Sequence, residues 1–396
     1  MSAERARRDF PDRLTGDRRP GQDPSVDDVR ERVLELLPTI REHAAGAEAA
    51  RRLTDEVWDA LVGSGVLRAL APARHGGAEL DLPAWIDLLQ EVSRADGSTG
   101  WCVMTTSATS SLAWFLPEDG ADEVFGDPAA VIAGTAAPQG AGEAVDGGHL
   151  VHGRWGWGSA VPHATAVVGG VLLPGGPRLA VFRAEDVRVH DTWHAAGLRA
   201  TGSHEFSVDG VVVPDRRTAW PPAGRPVVEG ALPLFPHFTF LALGVAAVCL
   251  GIARRAVDEI AALAADKTPA HTTVRLAEQT GAQLDLATAE ARLSAAGAFL
   301  REETALCWAE AVAGRALPEG RRARLRLACS HAAAESSEVA RLAFLTGGGS
   351  AVFESSVLQR CLRDAHVAGQ HAIVSRRLFE VYAKVALGVP ADTSRL

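Results

Sequence analysis

The residues best suited to chemistry in this chain lie together in Gly153-Arg154-Trp155-Gly156-Trp157-Gly158-Ser159. The run follows the turn Asp146-Gly147-Gly148 and the extended stretch His149 to His152, so it reads as the second arm of a β-hairpin. Side chains alternate along a strand, which puts Trp155, Trp157 and Ser159 on one face. Two indoles and a hydroxyl, spaced by glycines, make a flat wall ending in one hydrogen-bonding group. Such a wall suits a planar aromatic cofactor. An ordinary core strand with two buried tryptophans has the same pattern, and the stretch alone does not separate the two.

Other groups can exchange protons or bind anions. Histidine titrates near neutral pH, and His366 and His371 stand out late in the chain. Five residues separate them, roughly 140° around an α-helix, so a regular helix turns only one to a given site. Arg199, Thr201 and Ser203 sit on a turn bounded by Gly197 and Gly202, placed to hydrogen-bond a cofactor's oxygens or phosphate, or simply solvated. Thr135 offers a hydroxyl that either meets a ligand or is satisfied by nearby backbone. Lys267 closes a helix, where its charge can serve a ligand or only stabilise the helix C-terminus.

The elements that must position these groups change along the chain. Ser25 can cap a helix from Val26, in which Val29, Val33, Leu36, Leu37 and Ile40 recur at helical spacing. Further helices run from about Thr54 to Gly63-Ser64-Gly65 and from Ala84 to Arg94. The uncharged segment Gly100 to Leu116 reads as a helix buried on most sides. After Gly126-Asp127-Pro128, short β-branched runs (131–136, 149–159, 164–173, 178–182, 206–213) alternate with turns, as in a sandwich or barrel. From Phe238 the sequence is helical again, in segments of about 237–267, 272–313, 318–346 and 355–387, which suit a four-helix bundle. The expected organisation is therefore α+β: a disordered tail at 1–24, a helical domain at 25–126, a β domain at 127–220, a proline-rich linker at 221–236 and a bundle at 237–396.

Composition limits the partners. The chain has 396 residues, 47% hydrophobic and 22% charged, with a net charge of -9. It carries no basic block beyond an arginine-rich start, which argues against nucleic acid. Five scattered cysteines without a CxxC pair argue against a disulfide framework or zinc site and for the cytoplasm. The uncharged run Phe238 to Ala253 is too short to span a membrane and reads as a buried helix. No G-x-G-x-x-G follows a strand, so a nicotinamide would have to act on another protein.

The order of helices, strands and bundle resembles the acyl-CoA dehydrogenase superfamily over essentially the whole chain. Gly153 to Ser159 stands where those flavoproteins carry a run whose Trp and Thr line the isoalloxazine, and the resemblance gives those roles to Trp157 and Ser159. Thr135-Ala136-Ala137-Pro138-Gln139-Gly140 matches the preceding flavin-contacting loop. Gly347-Gly348-Gly349 matches the glycine turn near the cofactor's phosphate end, and Arg363-Asp364-Ala365 the run after it. Lys267 falls where relatives reach a neighbouring subunit's cofactor. The two positions of the dehydrogenase base, however, hold Ala372 and Phe240 or Leu241, none of which can take a proton.

A second set of motifs is similar to the two-component flavin-dependent monooxygenases, of the p-hydroxyphenylacetate hydroxylase and dibenzothiophene monooxygenase type. These are Gly100-Trp101 through Gly126, His190-Asp191-Thr192-Trp193-His194 with Gly197 to His204, and Leu358-Gln359-Arg360 leading to His366 and His371. The resemblance implies reduced flavin, FAD in preference to FMN, delivered by a separate NAD(P)H-dependent reductase. It also implies a flavin C4a-hydroperoxide that hydroxylates an aromatic molecule, phenolic or indolic, and a cytoplasmic homotetramer. It places Ser159 near N5 and C4a and His371 opposite, with His366 as its substitute, and lines the substrate pocket with Trp101, Thr109 and Phe240. Thr109 stands where phenol-hydroxylating relatives have a histidine, which disfavours a simple phenol. N-oxygenation, dehydrogenase or oxidase chemistry, and a non-catalytic binding protein remain the alternative readings.

Overall fold

The computed structural model describes residues 26–396; the expected tail at 1–24 and the capping Ser25 lie outside the described residues. Helix α1 (Val26–Ala50) buries Val29, Val33, Leu37, Ile40, Ala44 and Ala47, one stripe at helical spacing. Helix α2 (Asp55–Ser64) starts at Thr54, whose side chain accepts from Val57 N, and ends at Gly65 with φ 83°. Asp81 caps α3 (Leu82–Ala95) and Asp96 caps α4 (Gly97–Ser110), which is followed by a 3-10 turn at Ser111–Trp114 and by α5 (Glu118–Phe125). The expected buried helix thus begins three residues before Gly100, because Asp96 supplies its cap.

Within α4 only Thr105 and Thr109 are more than marginally accessible, and Trp101 shares their face at i, i+4, i+8 spacing. One side of an otherwise enclosed helix therefore looks into open space. That face belongs to the site.

The strands are β1 (Ile132–Val145), β2 (Gly148–Gly158), β3 (Ala166–Leu173), β4 (Gly176–Arg183), β5 (Arg188–His190), β6 (His204–Val213) and β7 (Thr218–Ala219). They form one sheet in the order β5-β6-β2-β1-β3-β4-β7, antiparallel except for β1 beside β3. The expected sandwich or barrel takes the form of this single sheet curled on itself. Trp155 of β2 lies between Phe206 of β6 and Phe182 of β4, at ring distances of 5.1 and 5.5 Å, and its indole N–H donates to Gly170 O of β3.

Helix α6 (His237–Asp266) is long and apolar enough to cross a membrane, yet 83% of its most apolar stretch is buried inside this fold. Gly244 lets it lie against α3 and α4, since a Cβ there would stand 2.6 Å from Trp85 and 2.7 Å from Met104. Its partners are α7 (Thr280–Val312), α8 (Glu319–Gly347), α9 (Val357–Ala368) and α10 (Arg377–Ala386). The single helix expected at 355–387 is two helices. Between them the chain turns at Gly369-Gln370 and forms a 3-10 turn at Ala372–Val374. His371 caps this turn, its Nδ1 accepting from Ile373 N at 3.3 Å.

Candidate active site

The face expected to carry Trp155, Trp157 and Ser159 together does not exist. Pairing of β2 with β6 slips between Trp155 and Gly158, and Trp157 has a left-handed φ of 60°, so the alternation breaks there. Trp155 turns into the sheet's core with no exposure, while Trp157 is 67% exposed. Ser159 turns inward again, 5% exposed. A bulky residue at φ 60° costs of order 1–3 kcal/mol, and such strain concentrates at functional positions.

Ser159 is the meeting point of three elements. Trp101 of α4 donates its indole N–H to Ser159 Oγ at 3.1 Å. On the other side Ser159 Oγ bonds Ser203 Oγ at 2.7 Å, and Ser203 Oγ bonds Thr201 Oγ1 at 2.6 Å. Thr201 Oγ1 also reaches Leu198 O at 2.8 Å. Thr201 and Ser203 are buried. They are buried to the same degree as Ser159 and join it in one line of hydroxyls.

The Trp101 ring faces His371, with centroids 5.8 Å apart. His371 is open to solvent on one side and enclosed by protein on the others, as a side chain lining a recess is. That enclosure, with the Arg326 charge nearby, lowers its pKa, so the ring is neutral near pH 7. Because Nδ1 accepts from Ile373 N, the neutral ring carries its proton on Nε2. Arg326 is buried in α8 and donates to Phe238 O at 2.7 Å and Ile373 O at 2.8 Å, tying the start of α6 to the turn that holds His371. Sequence reading missed this residue, although an arginine among Leu325, Ala328, Cys329 and Ala332 interrupts an apolar stripe.

His366 goes elsewhere. Its Nδ1 is bound to Leu362 O at 2.8 Å, and it lines a separate cavity of about 420 Å³ with His331, Glu335, Gln370 and Arg376. Thr109 lies two turns from Trp101 on the recess face of α4, its hydroxyl bonded to Thr105 O. Phe240 is 3% exposed and packs on Trp85 at 5.3 Å, a core position behind the recess.

Beside Trp157, the bulge of β1 leaves Thr135 half-buried and residues 136–139 exposed, and Gln139 Oε1 accepts from Gly156 N at 3.2 Å. A Cβ on Gly156 would meet nothing within 4 Å. An exposed indole, an open glycine and a protruding loop are thus neighbours on one surface. The turn at Leu198 is held by Asp364 of α9, whose Oδ1 accepts from Leu198 N at 2.6 Å. Burial and the neighbouring Asp96 push the Asp364 carboxyl up to about 7. Arg199 is half-buried on this turn, and its Nε has no hydrogen-bond partner.

The remaining expected ligands gather at the opposite end of α6. Lys267 Nζ donates to Gly347 O at 2.7 Å, and Gly348 beside it has φ 52°. From Phe240 to Lys267 the helix rises about 40 Å. Lys267, Gly347 and Gly348 thus gather at the end of α6 away from Phe240 and share no hydrogen bond with Ser159, Ser203 or Trp101.

The open indole, the bare Gly156 backbone, the half-buried arginine and the buried hydroxyl fit a planar, phosphate-bearing heterocycle such as a flavin. Comparisons with known proteins agree. The Acyl-CoA dehydrogenase, N-terminal domain family matches residues 25–124, and the Acyl-CoA dehydrogenase, C-terminal domain family matches residues 243–376. The indole-3-acetate monooxygenase of Pseudomonas putida is 36% identical over 347 residues, 86% of this chain and 89% of that protein. The 3-HSA hydroxylase of Rhodococcus sp. RHA1 superposes with a TM-score of 0.86 at 29% identity, over 93% of this chain and 99% of its own. XiaF from Streptomyces sp., solved in complex with FADH2 and glycerol, gives a TM-score of 0.85 at 25% identity, over 92% and 96%.

Proposed function

Because the chain belongs to the acyl-CoA dehydrogenase family, in its flavin-dependent monooxygenase branch, we propose that it hydroxylates an indolic or related bicyclic aromatic molecule in the recess between Trp157, Ser159, Trp101 and His371. The observation that carries this is the convergence of Ser159 and His371 on the two sides of Trp101, at a face where α4 opens. Bound there, reduced flavin supplies O₂ activation and delivery of one oxygen atom. Trp157, the 135–139 loop and Arg199 would hold it, Ser159 would hydrogen-bond its reactive edge, and the closed inner wall would keep water out. FAD is favoured over FMN, brought by a separate NAD(P)H-dependent reductase in the cytoplasm. Indole-3-acetate monooxygenase is among the similar proteins, and Thr109 leaves no imidazole for a phenol on α4.

His371 faces the aromatic substrate with Nε2–H. To take a proton at Nε2 it must first give up its bond to Ile373 N, so the geometry favours a donor that orients the substrate or the transferred oxygen over the general base expected from sequence. With a reductase, NADH and indole-3-acetate as probe, His371→Ala is expected to bind flavin normally. It should release hydrogen peroxide in place of product, with a fall of about 10²- to 10³-fold in oxygenation, the effect of losing one positioned donor. His366→Ala is expected to behave as wild type. Since His371 is held neutral, wild-type coupling should persist into mildly acidic buffer and fail as the ring protonates. Unchanged coupling in His371→Ala would overturn the assignment.

A further inference from the structure

Counting the hydrogens among the buried hydroxyls linked to Ser159 leads to a second property of the site. A hydroxyl has one hydrogen and two lone pairs. In the line Ser159–Ser203–Thr201–Leu198 O, three hydrogens serve three links: 2.7 Å, 2.6 Å and 2.8 Å. If Thr201 donates to Leu198 O, Ser203 must donate to Thr201 and Ser159 to Ser203. Ser159 then accepts from Trp101 and keeps one lone pair facing the recess. If Thr201 instead turns its hydrogen to Ser203, Ser203 donates to Ser159. Both lone pairs of Ser159 are then occupied, and its own hydrogen faces the recess.

Neither arrangement strands a buried group. Leu198 O also accepts from Trp193 Nε1 at 3.0 Å and from Thr201 N at 3.2 Å, so it does not depend on the Thr201 hydroxyl. Three hydroxyl rotations interconvert the two states without moving a heavy atom or transferring a proton. The Trp101 indole only donates, so it holds Ser159 in place in either state. Thr201 and Ser203 are 2% and 4% exposed, which keeps water from breaking the line.

We propose that Thr201 and Ser203 are positioning residues forming a two-way hydroxyl relay, which lets Ser159 accept from N5–H of reduced flavin and donate to the N5 lone pair of oxidised flavin. The inference rests on the reading that Ser159 meets the flavin at N5. The two redox states need opposite hydrogen-bond directions at one atom. A serine alone could turn its hydrogen outward, but turned inward that hydrogen would lack a buried acceptor. The relay supplies the acceptor and so makes the reduced state as well accommodated as the oxidised one.

Replacing Thr201 by valine removes the inward acceptor of Ser203 at nearly constant volume. Ser203 must then donate to Ser159, which locks Ser159 as an outward donor. Affinity for reduced flavin is expected to fall roughly two- to tenfold, the effect of one modest hydrogen bond, while that for oxidised flavin holds or improves. Ser203→Ala should shift the ratio of the two dissociation constants in the same direction, and Thr201→Ser should restore the wild-type ratio.

The readout is equilibrium titration with each flavin form, the reduced one under anaerobic conditions, on protein whose melting temperature shows it folded. A merely structural role would weaken both forms alike. Ser159→Ala separates the two levels of the argument. If it leaves both affinities unchanged, Ser159 does not touch the flavin and the underlying reading fails. If it weakens both, yet Thr201→Val and Ser203→Ala leave the ratio at wild type, the relay is overturned and the reading stands.

Discussion

Trp157 carries more of the argument than its neighbours because its backbone is unfavourable. An exposed indole at φ 60° gains little from burial and holds a conformation that asparagine adopts far more readily. Trp157→Asn is therefore expected to keep or slightly raise the melting temperature while weakening flavin binding, read by thermal unfolding beside flavin titration. A loss of stability would mean that the indole serves packing instead. The sequence showed that Gly153 to Ser159 was unusual but misread which tryptophan faces outward. Strand alternation presumes an unbroken ladder, and the slip after Trp155 depends on pairing with β6, about 50 residues away. The Ser159 position was legible from the resemblance. Its partners Ser203 and Thr201 were singled out too, but spacing did not reveal that the three hydroxyls form one hydrogen-bonded line.

Among the elements, periodicity made most helices readable and Thr54 marked one start, while Asp81 and Asp96 cap helices that begin two and three residues before the starts read at Ala84 and Gly100. The break between α9 and α10 was not legible, since Gly369-Gln370 carries no proline and both sides are amphipathic. Missing it left two histidines on one imagined helix; in the structure the break sends His371 to the recess and His366 to another cavity. Helix α6 gives the other lesson. Its apolar run was expected to be buried, and α3, α4 and α8 bury it. What α6 does leave unfinished is its far end, where Lys267 meets the glycine turn about 40 Å along the helix from Phe240. Exposed Leu284, Leu345, Val352 and Phe353 lie on the surrounding bundle elements. We propose that this end completes the flavin site of a second copy, within a homotetramer. Light scattering at micromolar concentration should give the mass of four chains, and a monomer would contradict it.

At the scale of the whole molecule, each layer contributes one wall: the curled sheet brings Trp157 and Ser159, α4 brings Trp101 and Thr109, and the broken helix of the bundle brings His371. The order of helices, strands and bundle was readable because composition changes sharply at Gly126 and again at Phe238. The tertiary ties were not, because a buried Arg326 or Asp364 looks in sequence like any charged residue on a helix. The architecture is common to dehydrogenases and oxygenases, and the dehydrogenase base positions hold only Ala372, Phe240 and Leu241. The account therefore stands on oxygen transfer. Its most direct test is a single turnover of the protein, loaded anaerobically with reduced flavin and indole-3-acetate, then mixed with ¹⁸O₂. One ¹⁸O atom in the product, with no reductase present, is the predicted result. Product bearing oxygen from water, or a desaturated product without new oxygen, would contradict it.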